Sequence, residues 1–319
     1  MKQILRKLFS VCMCIVLLIN TGCSTKKETE DSGLKIVVTV FPVYDWIRNI
    51  AAGSDAQVEL LIKNGGDMHN YQPTVQDMVL VHDADLFIYI GGESDAWVKD
   101  VLKEADEGLR AVSLLEAADL DLVEETVKEG MTVRHEEDEE EKEEDEHVWL
   151  SLKRAATACG ALSSILQELD PKNASLYRMN TEKYIAELNE TDEAYAAMVK
   201  AADKNTVVFA DRFPFVYLMQ DYGLDYYAAF PGCSAETGAS FETVIFLAKK
   251  LDELGLHDVF RIENTSDDIA RVVIASSNDK ERGILILDSM QSVNEKEAEE
   301  KTYIGTMREN LEILKKGLE

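Results

Sequence analysis

Cysteine, histidine and proline are all scarce in this chain of 319 residues, at five each. Of the cysteines, Cys12 and Cys14 fall within the first twenty-two residues and Cys23 follows directly, leaving only Cys159 and Cys233 in the body. That is too few for a disulfide framework, and two free thiols are expected rather than a bond between distant halves. Neither sits in a CxxC pattern, which speaks against thiol redox chemistry. Positive charge is also short: 33 Lys and Arg face 61 Asp and Glu, a formal charge of −28. Such a surface repels phosphate backbones, so no nucleic-acid partner is expected. No GxxxxGK[ST] sequence occurs, so the chain is not itself an ATPase, and no HExxH occurs either. Apolar residues make up 46%, ample for packed cores.

The amino terminus has its own logic. Lys2, Arg6 and Lys7 precede an apolar run from Leu8 to Ile19, then Asn20-Thr21-Gly22-Cys23. This pattern predicts a secretory signal over 1–22, too short to be an ordinary spanning helix. Its loss would take the charge to −31. Thr21-Gly22-Cys23 resembles a bacterial lipobox, in which Cys23 is acylated and becomes the mature terminus. Several acyl chains on one residue anchor stably where one does not. Residues 23–33 are polar and suit a tether.

Beyond the tether, strand-like runs alternate with amphipathic segments. Leu34–Phe41, Val58–Ile62, Leu86–Ile90 and Ala111–Leu114 read as buried strands, with helices at Tyr44–Ala51, Val75–Val81 and Ala96–Glu104. The pattern recurs with strands at Val207–Ala210, Asp225–Phe230, Asp258–Ile262 and Ile284–Asp288, and helices at Phe215–Tyr222, Phe241–Leu254 and Asp267–Ser276. Alternation of this kind implies βαβ units and parallel sheets. The predicted fold is α/β: two similar lobes, 34–168 and 205–319, each a mainly parallel sheet flanked by helices. Between them, 169–204 reads as one long rigid helix with Asp170 as N-cap and Pro171 in its first turn. Tyr177, Thr181, Tyr184 and Leu188 share one face of it. Thirty helical residues span about 45 Å, so such a helix would run along both lobes and leave a cleft between them.

One segment is of low complexity. Glu136 to Glu146 holds ten acidic residues and one Lys, flanked by His135 and His147. Charge this dense predicts a solvated loop, either inert or loosely concentrating cations. The remaining histidines are His69, His82 and His257. His69 lies in a glycine-rich turn, Gly65-Gly66-Asp67-Met68-His69-Asn70-Tyr71-Gln72-Pro73-Thr74, just after a strand, where α/β sheets gather ligand groups. His147-Val148-Trp149-Leu150 stands where the acidic loop yields to a helix. Imidazole suits zinc and related metals. His82 reads as structural and His257 as exposed; Trp97, Trp149, Tyr226 and Tyr227 read as core.

These words resemble a family. Gly65–Asp77 is similar to the GxDPHxYxPTxxD segment, and His147–Leu150 to the DPHxWLDP segment, of the metal-binding solute receptors that serve zinc and manganese uptake. Phe41-Pro42-Val43-Tyr44, Asp170–Ala174 with Asn180, and Phe215-Val216-Tyr217 with Tyr222-Gly223-Leu224 match further positions, so the resemblance runs from about residue 34 to the carboxyl terminus. It implies a monomeric, lipid-anchored receptor on the extracytoplasmic face of the cell membrane, which captures zinc (or manganese) in the cleft and hands it to the permease of an ABC importer. His69 and His147 would be ligands from the first lobe and Asp288 the carboxylate ligand, with a turn-capping role as the other reading of Asp288. At the family's third His this chain carries Arg212, which has no lone pair to offer. Three arrangements remain open: Asp211 reaches the metal, water fills the position, or Arg212 pairs with a carboxylate or anion. A carboxylate there would favour harder ions such as manganese. Glu263 is placed behind the ligands as an orienting group. Cys233 and Glu236 lie on a loop near the cleft, with Cys233 read as a small hydrophobe before a soft ligand.

Two His and an Asp with an open position also describe a catalytic zinc site, but no general base can be named, so no enzyme is expected. A surface adhesin or passive metal buffer built on the acidic loop is the other alternative. Deleting 136–146 should leave one tight metal site in equilibrium titration, whereas replacing His69 and His147 by Ala should remove it; the reverse result would identify a buffer.

Overall fold

Alternation of side chains along the strands dictates how the layers form. In the computed structural model, which describes residues 33–105, 108–132, 144–234 and 238–319, Ile36 and Val38 point to one core while Val37 points to another. Leu86 and Ile88 oppose Phe87 in the same way, and Val207 and Phe209 oppose Val208. Strands apolar on both faces need cover on both, the condition under which parallel sheets are stable.

The first lobe carries β1 (Lys35–Val38), β2 (Gln57–Leu60), β3 (Leu86–Tyr89) and β4 (Arg110–Ser113), all parallel, in the order β2-β1-β3-β4. Its helices are α1 (Phe41–Ile50), α2 (Val75–His82), α3 (Val98–Leu102), α4 (Leu114–Ala117) and α5 (Leu152–Leu169). Then comes α6 (Ala174–Ala201), twenty-eight residues long. The second lobe has β5 (Thr206–Phe213), α7 (Val216–Tyr222), β6 (Asp225–Pro231), α8 (Phe241–Leu254), β7 (Asp258–Ile262), α9 (Asp268–Ser276) and β8 (Gly283–Leu287), closed by α10 (Glu295–Glu300) and α11 (Tyr303–Gly317). Its strand order, β6-β5-β7-β8, is also parallel and repeats that of the first lobe. Two like lobes joined by a long helix are what the sequence predicts.

Differences are local. Phe41 opens α1 rather than closing β1, because Pro42 fits a first helical turn and β1 ends at Val38. Asp170 does not cap the helix with its side chain. Its carboxylate instead accepts from Tyr177 Oη at 2.5 Å and Asn173 Nδ2 at 2.8 Å, and a 3-10 turn over Pro171–Asn173 precedes α6. At 1.5 Å per residue α6 is about 42 Å long. Its buried face is Tyr177, Thr181, Tyr184, Leu188, Thr191 and Tyr195, the predicted stripe carried two turns further. Leu34–Glu319 forms one compact unit, and one apolar cluster runs unbroken from Ile36 and Trp46 through Leu188 to Phe260 and Leu314. Residues 1–32, with the proposed signal, tether and Cys23, lie outside the described residues, as do His135, Glu236 and most of the acidic stretch.

Leu188 is fully buried in this shared cluster. Leu188→Ala should cost about 2–5 kcal/mol in urea unfolding of the metal-free protein, while Met179→Ala, on the exposed face of the same helix, should change stability by no more than about 0.5 kcal/mol.

Candidate metal centre

Local bonding fixes where His69 stands. Beyond β2 the chain turns at Gly65, whose φ of +73° suits glycine. Asp67 then caps a 3-10 turn over Met68–Asn70, its Oδ1 accepting from the His69 amide at 3.0 Å. Further on, Thr74 and Asp77 form a capping box for α2, and Asp77 also accepts from Tyr71 Oη at 2.7 Å. His147 opens a second 3-10 turn, Val148–Leu150, whose side chains are all buried. That turn is tied to the second lobe: Trp149 Nε1 donates to the Ser289 carbonyl at 2.8 Å, and Tyr303 Oη donates to the Trp149 carbonyl at 2.5 Å.

The two histidines meet. His69 Nε2 and His147 Nε2 are 3.1 Å apart. Each Nδ1 is held from behind, His69 by Ser94 Oγ at 2.6 Å and His147 by Asp145 Oδ1 at 3.1 Å. This is how metal-ligating imidazoles are oriented, with one nitrogen engaged and the other free to coordinate. Two nitrogens bound tetrahedrally to one zinc stand about 3.3 Å apart, given Zn–N bonds of about 2.0–2.1 Å. Cys233 completes a trio with these two; the ligand atoms of His69, His147 and Cys233 all lie within 4.8 Å of one another. Gly232 permits this approach, since a Cβ there would come within 2.9 Å of the Phe213 carbonyl and 3.3 Å of the His147 ring. The Cys233 amide is held by Glu125 Oε1 at 2.7 Å. From the turn after β8, Gln291 Oε1 lies 3.1 Å from His147 Nε2.

The acidic candidates are turned elsewhere. Asp288 folds onto its own turn, Oδ1 accepting from the Met290 amide at 2.9 Å and Oδ2 pairing with Lys301 Nζ at 2.7 Å. Asp211 is drawn to the end of β7, where Oδ2 accepts from Thr265 Oγ1 at 2.5 Å and the Ile262 amide at 3.3 Å. Arg212 pairs with Asp67, the third of the arrangements left open by the sequence. Glu263 accepts from the Ser289 amide and hydroxyl at 2.7 and 2.8 Å, and so braces the turn that carries Gln291. His82 and His257 are exposed.

Electrostatics set the protonation of the trio. Burial, then the neighbouring His147, pushes His69 down to about 3, so it is neutral at pH 7. For His147 burial opposes the charge, but the carboxylates of Asp145, Glu146 and Glu125 together raise the group above the ordinary histidine value. Burial, then Glu125, pushes the Cys233 thiol well above its usual range. A cavity of about 550 Å³ reaches Cys233 and is lined by Glu93, Asp95, Glu116, Glu125, Glu144 and Glu146 against a single Lys99. A mouth of that sign draws cations inward.

The zinc-uptake complex component A periplasmic family (ZnuA) matches residues 36–317. The chain belongs to that family. Among ZnuA relatives, the high-affinity zinc uptake system protein ZnuA of Bacillus subtilis is 28% identical over 98% of this chain and 97% of its own. The zinc-binding lipoprotein AdcA of Streptococcus pneumoniae is 30% identical over 99% of this chain and 61% of its own. The chain likewise spans 57% of the zinc-binding protein AdcA of Streptococcus pyogenes. The Zn(II)-bound ZnuA-like domain of the pneumococcal AdcA superposes with a TM-score of 0.71 at 27% identity, over 90% of this chain and 99% of that domain.

Four site residues escape the sequence reading in their roles. Asp145 is camouflaged by the acidic run, although its place two residues before His147 is the signal for it; because it braces His147, the deletion expected to spare the site shortens from 136–146 to 136–143. Ser94 and Gln291 sit in loops with no distinguishing pattern, and Cys233, for which a soft ligand is only the second reading of the sequence, is brought to the histidines by the geometry around Gly232. Ligation by Cys233 and two imidazoles would need the thiol proton expelled and both rings neutral, so protons compete with the metal. Zinc affinity should therefore rise with pH and fall on acidification. Calorimetry at pH 7 in two buffers of different ionisation enthalpy should show release of about one proton or more per zinc; zinc binding with no proton release would contradict thiolate ligation.

Proposed function

We propose that this chain captures zinc between its lobes and delivers it to the permease of an ABC importer, without catalysis. The observation that carries this is the pair of imidazole nitrogens 3.1 Å apart, each braced through its other nitrogen, with Cys233 beside them. His69 and His147 come from the first lobe and Cys233 from the loop after β6 in the second. The fourth position faces the turn after β8, where a water or a side-chain oxygen of Gln291 or Asp288 completes the shell. Asp211, fastened to Thr265, takes no part in this set. Family membership and the uptake role of the Bacillus subtilis relative support delivery over hydrolysis. Acylation at Cys23 would hold the receptor at the extracytoplasmic face, as the pneumococcal lipoprotein suggests. Residues 34–168 and 205–319 act as the two jaws and 169–204 as the strut between them.

Manganese is the alternative cargo, and the donor set argues against it. A thiolate with two imidazoles is soft, and manganese prefers oxygen. Metal-free protein titrated with the two ions in competition should take up one equivalent of zinc and exclude manganese. Cys233→Ser should weaken zinc by more than the roughly 10–100-fold that loss of an outer partner costs, and should narrow the gap between the ions. Manganese winning the competition would overturn the assignment.

A further inference from the structure

We propose that Arg212 is a positioning residue for this centre: its guanidinium sets the spacing between the His69 turn of one lobe and the Cys233 loop of the other. The inference rests on the zinc reading above and adds the device that holds two of the three ligands in register.

Each link is a named contact. Nη2 of Arg212 pairs with Asp67 Oδ2, while Asp67 Oδ1 accepts the His69 amide at 3.0 Å. One carboxylate thus joins the guanidinium to the backbone of a ligand. Nη1 of the same guanidinium donates to the Ser234 carbonyl at 3.4 Å, next to Cys233. The base of the side chain is itself fixed. Asp211 Oδ1 accepts the Arg212 amide at 2.9 Å, and Asp211 Oδ2 fastens this end of β5 to Thr265 and Ile262. Between Phe209 and Arg212 the pairing of β5 with β6 shifts register, an irregularity of the kind that re-aims side chains at a site.

The chemistry suits arginine. Its planar fork reaches two acceptors at once, which a lysine ammonium on one flexible stem cannot do with the same geometry. Arg212 and Asp67 are 12% and 14% exposed, so solvent and salt screen their attraction only partly. The pair also keeps the Asp67 carboxylate occupied, away from the ion.

The test uses the full chain. Zinc affinity is measured by competition with a chelator, and the cobalt(II)-loaded protein is read for its thiolate-to-metal charge-transfer absorption, assigned to Cys233 by its loss in Cys233→Ser. Urea unfolding of the metal-free forms checks the fold. Arg212→Gln should weaken zinc about 10–100-fold and alter the cobalt band while leaving the unfolding midpoint nearly in place. Arg212→Lys should recover part of the loss. Asp67→Asn keeps the cap on His69 but loses the ion pair, so combining it with Arg212→Gln should add little to either alone. Native-like affinity and an unchanged cobalt band in Arg212→Gln would overturn the proposal while leaving the zinc reading intact. Absence of any thiolate band in the native protein would overturn both.

Discussion

A buried imidazole and a half-buried one cannot be held nitrogen to nitrogen unless something fixes each ring from behind and fixes the lobes to one another. In this protein both conditions are met by unrelated means. Ser94 and Asp145 take the rear nitrogens, so the front ones stand 3.1 Å apart, near the separation of two nitrogens that share one zinc. The lobes are fixed by an apolar cluster that passes from one sheet to the other without a break, with α6 lying along it. Trp149 contributes to both, since it stands two residues after His147, lies buried, and donates its indole proton across to the Ser289 carbonyl. A receptor built this way relies on preorganisation more than on closure.

The site also follows from sheet topology. Open parallel sheets gather ligand groups beyond the carboxyl ends of their strands, and four of the segments that matter here leave such an end, while Asp145 and His147 arrive on the stretch between α4 and α5. His69 follows β2, Ser94 follows β3, Cys233 follows β6, and Gln291 follows β8. Glu263, after β7, does not touch the trio, yet it anchors Ser289 and so settles the turn from which Gln291 reaches His147. Burial raises this carboxyl, with the nearby Asp288 adding to the effect. The acidic cavity beside Cys233 then supplies a field that favours cations over anions at the entrance.

Much of this was legible in the residues. The strand positions follow from apolar runs, the long helix from its uninterrupted stripe, and His69 and His147 from the motifs around them. What stayed hidden has physical reasons. Asp288 is the right residue type after the right strand; what the residues did not show is that Lys301, arriving from the segment after α10, holds one of its oxygens. Asp211 is adjacent to the expected position, yet a hydroxyl and an amide at the end of β7 claim it. Cys233 looks like any small apolar residue in one dimension. Its proximity to His147 depends on a backbone approach that only Gly232 allows, and no periodicity encodes that. Asp145 was concealed by composition, one carboxylate among ten.

The repeated strand order has a wider consequence. Both lobes use the same scaffold, so neither sheet dictates which chemistry faces the gap; imidazole on one side and thiol on the other are choices made by loops of a few residues. Preference for one cation over another can therefore drift through exchanges in those connections while the framework stays untouched. Arg212 paired with Asp67, and a thiol brought close to two imidazoles, are both the work of such connections.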